Sequence, residues 1–139
     1  MTDMQHACWH AGSRTINHNS VGVEISNAFY PKYQSWYSKR FGPRPIVADA
    51  EVHGSKLETH LGFYPIQLEA LKALWESVAN ACEIPLEAPM KDGKLDTGEN
   101  RDVSSGKFNG FVNHYNITDR KIDCAGLDLV KLLNEVKAD

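Results

Sequence analysis

Pro65 and Pro85 bracket the stretch that most constrains this chain. Between them Leu71, Leu74, Trp75, Val78 and Cys82 fall at the i, i+3, i+4, i+7, i+11 spacing of one helical stripe. Pro65 suits a first helical turn and Pro85 stops the helix. Cys82, placed on the stripe, reads as a small buried hydrophobe. A second stripe of Leu129, Leu132, Leu133 and Val136 predicts a helix over 127–136, with Asp128 as its acidic start.

The other elements are shorter. Val21, Val23 and Ile25 alternate with Gly22 and Glu24, which predicts a strand with Glu24 on the face opposite the apolar residues. From Phe29 to Pro45 the chain is aromatic and basic, and Pro31, Pro43 and Pro45 argue against a regular helix there. That segment reads as an ordered excursion or lid. Its aromatics either fold back on the core or form a surface that stacks sugar rings or a peptide. Residues 86–110, rich in Gly and charge, read as a long loop or hairpin, with Asp92, Asp96 and Glu99 solvated. Phe111-Val112 reads as a short strand leading to His114. Strand, loop and helix recurring in 139 residues predict a single α/β domain over 1–139.

Composition narrows the function classes. Lys+Arg 15 against Asp+Glu 18 leaves a net charge of −3 with no basic block, which argues against non-specific nucleic-acid binding. No stretch approaches the roughly 20 apolar residues of a membrane span. The first residues lack the pattern of a secretory signal. Cys8, Cys82 and Cys124 make neither a disulfide framework nor a Cys-x-x-Cys pair.

The densest chemistry runs from His114 to Cys124, where a His, Lys121, Asp123 and a Cys share 11 positions. Imidazole, carboxylate and thiolate are the ordinary zinc ligands, and a catalytic site needs three of them with one position open. A lysine beside such a site stabilises a developing oxyanion. His53 and His60, between Ala50 and Leu61, read as surface loop residues.

Three blocks resemble the zinc-dependent N-acetylmuramoyl-L-alanine amidases of the type 2 class, relatives of the phage amidase-lysozymes and peptidoglycan-recognition proteins. They are Trp9-His10-Ala11-Gly12-Ser13, then Asn17-x-x-Ser20-Val21-Gly22-Val23-Glu24-Ile25, then His114 with Arg120-Lys121-Ile122-Asp123-Cys124 and the residues to Asp128. The helix with Gln67, Leu71 and Leu74 is similar to a fourth. The resemblance implies a central mixed β-sheet flanked by helices. It also implies a Zn2+ cofactor and a peptidoglycan or muropeptide substrate.

By the same resemblance His114 ligates zinc, Glu24 is the general base, Lys121 stabilises the tetrahedral intermediate, and His10 lines the cleft. The closing ligand is Asp123, two residues after Lys121, or Cys124 in the phage-like Cys-x-x-x-Asp register. The strength of a thiolate as a zinc ligand tilts the choice to Cys124.

The family's first ligand is a His ahead of the Trp-His-Ala-Gly turn, and eight residues precede Trp9 here. The expectation is therefore a missing N-terminal strand and ligand. A longer parent or a partner chain would supply it, or else one of His6, His18, His53 and His60. The implied activity is hydrolysis of the amide between N-acetylmuramic acid and L-alanine. The role is a phage endolysin released to the wall or a cytoplasmic recycling enzyme. A wall-binding relative that does not cut is the alternative.

Overall fold

Helices and short strands both occur along the chain, as an α/β reading expects. In order the elements are α1 (Arg14–His18), a 3-10 turn (Pro31–Tyr33) running into α2 (Gln34–Ser38), β1 (Ile46–Val47), β2 (Glu51–Val52), β3 (Ser55–Lys56) and β4 (His60–Leu61). Then come α3 (Pro65–Cys82), β5 (Met90–Lys91), β6 (Lys94–Leu95), α4 (Arg101–Ser104), α5 (His114–Ile117) and α6 (Leu129–Ala138). The computed structural model describes residues 6–138. Among these, the strands make three two-stranded antiparallel ribbons, β1–β4, β2–β3 and β5–β6, in place of one central sheet.

The core lies where α6 crosses α3. Leu71 and Trp75 of α3 meet Leu127, Leu129, Leu132 and Leu133, with Phe111 tilted against the Trp75 ring at 5.3 Å. Each such leucine, fully buried, contributes about 1.5–3 kcal/mol. Gln67 opens α3 by accepting the Tyr64 N–H at 3.0 Å, as the third residue of a capping box does. Glu83, in the left-handed region at φ 54°, closes it. Asp128 Oδ1 accepts the Lys131 N–H and caps α6. Lys72 ties the two helices together, bonding Glu135 of α6 at 2.8 Å and Glu69 of its own helix at 3.0 Å.

Several expectations are corrected. Leu74 is 42% exposed and Cys82 is exposed, while Ala79 takes a buried place on the stripe. The ten-residue α6 covers only part of the α3 face, and Cys82 lies beyond its cover. Residues 21–25 form no strand, since no backbone hydrogen bond joins them to another described segment. Val21 and Val23 are exposed as a result. Residues 29–45 do contain helix, because Pro31 stands at the first position of the 3-10 turn, where no N–H is needed.

Residues 86–110 hold a true hairpin. Asp92 and Gly93, both at positive φ, close β5–β6 in the I′ geometry that suits paired strands. Asp96 is buried rather than solvated, because its carboxylate accepts from Gly98 N and Asn100 Nδ2. Phe111-Val112 is not a strand and keeps one bond, Phe111 N to Glu87 O. His60 is buried, stacked flat on Phe29 with centroids 4.4 Å apart.

Candidate active site

His114 is the first residue of α5, and two asparagines hold it there. Asn113, the N-cap, donates its N–H to Asn116 Oδ1 and its side-chain amide to the Tyr115 hydroxyl. Asn116, fully buried, donates to the carbonyls of Asp96 and Gly98. The α5 turn is thereby fastened to the residues that follow β6. On its other side Tyr115 N donates to Asp123 O at 3.2 Å, drawing the 121–126 loop against the helix. Burial pushes the Tyr115 phenol up to about 12, so this bracing group stays neutral.

That closure brings the His114 Nδ1 to 3.0 Å from the Asp123 Oδ2. An ionised carboxylate can only accept, so Nδ1 carries the proton and Nε2 keeps a lone pair for a ligand or a proton. Cys124, next in the chain, is half-buried against the core cluster. Burial pushes its thiol up to about 11, with the Asp123 and Glu24 carboxylates adding to the shift. Glu24, in the 21–25 segment, is exposed. Lys121 is exposed in the same loop, and its carbonyl accepts from His53 Nε2 at 2.9 Å.

His10 belongs to a separate turn. Its backbone N–H and that of Ala11 both donate to the buried Asn17 Oδ1, at 3.0 and 2.8 Å. Its Nδ1 donates to Cys8 O and its Nε2 faces Ser20 Oγ, each at 2.8 Å. The ring lies on Gly22, where an added Cβ would meet its Cδ2 at 2.6 Å. His10 thus borders the segment two residues before Glu24, with both ring nitrogens engaged.

A zinc site was expected on His114 with Asp123 or Cys124. Among the described residues no group of three His, Cys, Asp or Glu side chains converges to hold a metal ion. His114 and Asp123 converge as a pair, and among the described residues no third donor completes a three-ligand zinc centre. His53 and His60 also depart from their surface reading, because each props the loop. His53 bonds Lys121 O, and His60 Nε2 lies 3.3 Å from Ala125 O. The bracing by Asn113 and Asn116 was not anticipated. Its one local signal is an Asn directly before His114, a residue type favoured at helix N-caps.

A family model described as N-acetylmuramoyl-L-alanine amidase matches residues 1–125, a span that includes His10, Glu24, His114, Lys121, Asp123 and Cys124. No curated protein and no solved structure gives a significant match.

Proposed function

The chain belongs to the N-acetylmuramoyl-L-alanine amidase family, and from that premise we propose that it hydrolyses the amide between the lactyl group of N-acetylmuramic acid and L-alanine. The substrate is peptidoglycan or a muropeptide, in wall lysis or in recycling of wall fragments. The observation that carries this reading is the His114–Asp123 pair, 3.0 Å apart, inside the span that the family matches.

In this reading Glu24 takes a proton from the attacking water and returns it to the departing L-alanine amine. Exposure suits that task, since substrate and water both have to reach the carboxylate. The Lys121 ammonium faces the oxygen on which negative charge develops. Asp123 orients the His114 ring, and His10 lines the approach beside Gly22. A bound zinc, which the resemblance implies, would supply Lewis-acid polarisation of the carbonyl. We assign His114 to it as one donor and favour Asp123 over Cys124 as the second, because Asp123 lies against the His114 ring while Cys124 packs toward the core. A partner chain would supply the remaining donor.

Product identification tests the reaction. Purified muropeptide incubated with the chain and added zinc yields a peptide with a free L-alanine amine and a sugar with a free lactyl carboxylate, both weighed by mass spectrometry. Cleavage at any other bond overturns the assignment. Retention on peptidoglycan with no peptide released, zinc present, identifies a binding relative instead.

A further inference from the structure

Residues 29–45 carry Lys32, Lys39, Arg40 and Arg44 and no acidic residue, in a chain of net charge −3. Their inner side is fully engaged. Gln34 grips the Arg44 backbone, accepting from its N at 2.9 Å and donating to its O at 2.8 Å. The Arg44 guanidinium, buried at 3% exposure, donates to Gly62 O and Gln67 Oε1. It lies 4.8 Å from the ring centroids of both Tyr37 and Tyr64. Tyr64 in turn donates its hydroxyl to Gly42 O.

The outer side is bare. Trp36 is 47% exposed and Phe41 66%, with ring centroids 5.9 Å apart, and Tyr30 and Tyr33 are exposed as well. Arg40 sits 4.5 Å from the Trp36 ring, and Lys32 lies 5.4 Å from the Tyr30 ring and 5.1 Å from the Tyr33 ring. Exposed aromatics held this firmly need an occupant more than isolated surface residues do. The excursion also springs from the border of the candidate site. Leu61 N donates to Phe29 O at its start, and Gly62 N donates to Pro45 O at its end. The β1–β4 ribbon that anchors it touches the site loop through His60 at Ala125 and Val47 at Gly126.

We propose that this outer face, centred on Trp36 and Phe41 with Arg40 and Lys32 at its rim, binds the glycan strand of peptidoglycan. Flat aromatic rings match the apolar C–H faces of pyranose sugars, and the cations donate to hydroxyl and acetamido oxygens. Charge selects this occupant. Hydrolysis of the muramoyl amide leaves a lactyl carboxylate on the sugar, so the peptide-free strand is anionic where this face is cationic. The choice of glycan rests on the amidase reading, and the test separates the two.

Soluble glycan strands stripped of their peptides, with lactyl carboxylates free, are titrated against the full chain by calorimetry. The parent binds, more weakly as salt is raised. Trp36→Ala/Phe41→Ala loses about tenfold or more in affinity, the scale of planar rings stacked on aromatic side chains, while keeping the parent's circular dichroism and melting temperature. Met90→Ala, which removes an exposed apolar side chain from another ribbon, binds as the parent does. Absence of binding by the parent overturns the proposal, as does parental affinity in the double variant. Binding to anionic lipid vesicles in place of glycan overturns it too. Glycan binding without peptide release leaves this proposal standing and removes the amidase reading; peptide release without glycan binding does the reverse.

Discussion

The His114 Nδ1 and the Asp123 Oδ2 lie 3.0 Å apart, brought together across nine residues by the bond from Tyr115 N to Asp123 O. The pair fixes which ring nitrogen of His114 is free, and it separates two neighbouring candidates. Asp123 touches the histidine, whereas Cys124 turns toward the core. Asp123→Ala is therefore expected to lower the rate of peptide release by about 10- to 100-fold, the usual effect of removing a group that ligates or orients at such a site. Cys124→Ser is expected to cost less. Steady-state rates of the two variants, measured side by side, check the order, and a larger loss in Cys124→Ser contradicts it.

Thiol chemistry reads the same loop independently. Cys8 and Cys82 are exposed, and Cys124 packs against the leucine cluster. An aromatic disulfide reagent at neutral pH should titrate two thiols quickly in the folded chain and the third only on unfolding. Three fast thiols would place Cys124 in solvent.

The Lys72 bridge between α3 and α6 gives stability a pH signature. Hydrogen bonding to Glu135, then to Glu69, raises Lys72 above its ordinary value, and bonding to Lys72 lowers Glu135 below its own. A lowered carboxylate contributes stability above its unfolded value, lost as pH falls through the folded one. A raised amine contributes below its unfolded value, lost as pH rises through the folded one. Lys72→Met should therefore melt lower than the parent near neutrality. The gap should shrink as the solution is acidified below the ordinary Glu135 value of 4.5, and again in strong alkali. Melting curves at several pH values test this, and a gap that does not change with pH contradicts it.

Core packing distinguishes two leucines that the stripe treats alike. Leu133 is 2% exposed and Leu74 is 42% exposed. Leu133→Ala should cost about 2–5 kcal/mol through lost burial and a residual cavity. Leu74→Ala should cost less than about 1 kcal/mol, as a change away from the packed core. Urea midpoints with unchanged slopes give the comparison, and equal losses would contradict the packing of α6 on α3.

The prolines and the stripe placed α3 between Pro65 and Pro85, and periodicity placed α6 to within two residues, because each helix buries one side against the other. Periodicity overreached at residues 21–25, where alternation was present but no neighbouring segment formed a ladder. Proline density misled at 29–45, since Pro31 begins a turn rather than breaking one. Asp96 and His60 looked solvated because their partners, the turn at Gly98 and the ring of Phe29, are invisible in local composition. At the candidate site, resemblance pointed to His114, Asp123, Cys124 and Glu24, and the fold pairs His114 with Asp123. The bracing by Asn116, His53 and His60 escaped notice, since each acts through a carbonyl far along the chain, as Asn116 does at Asp96.

If Glu24 and His114 serve one amide-hydrolysing centre, losing either one stops peptide release. The deciding experiment is the rate at which free L-alanine amino termini appear from purified muropeptide with zinc present, for the parent, Glu24→Gln and His114→Ala. Release by the parent and a loss of about 100-fold or more in each variant are expected, the scale of removing general acid–base assistance. Both variants should keep the parent's circular dichroism. Parental rates in folded Glu24→Gln and His114→Ala would contradict that shared centre.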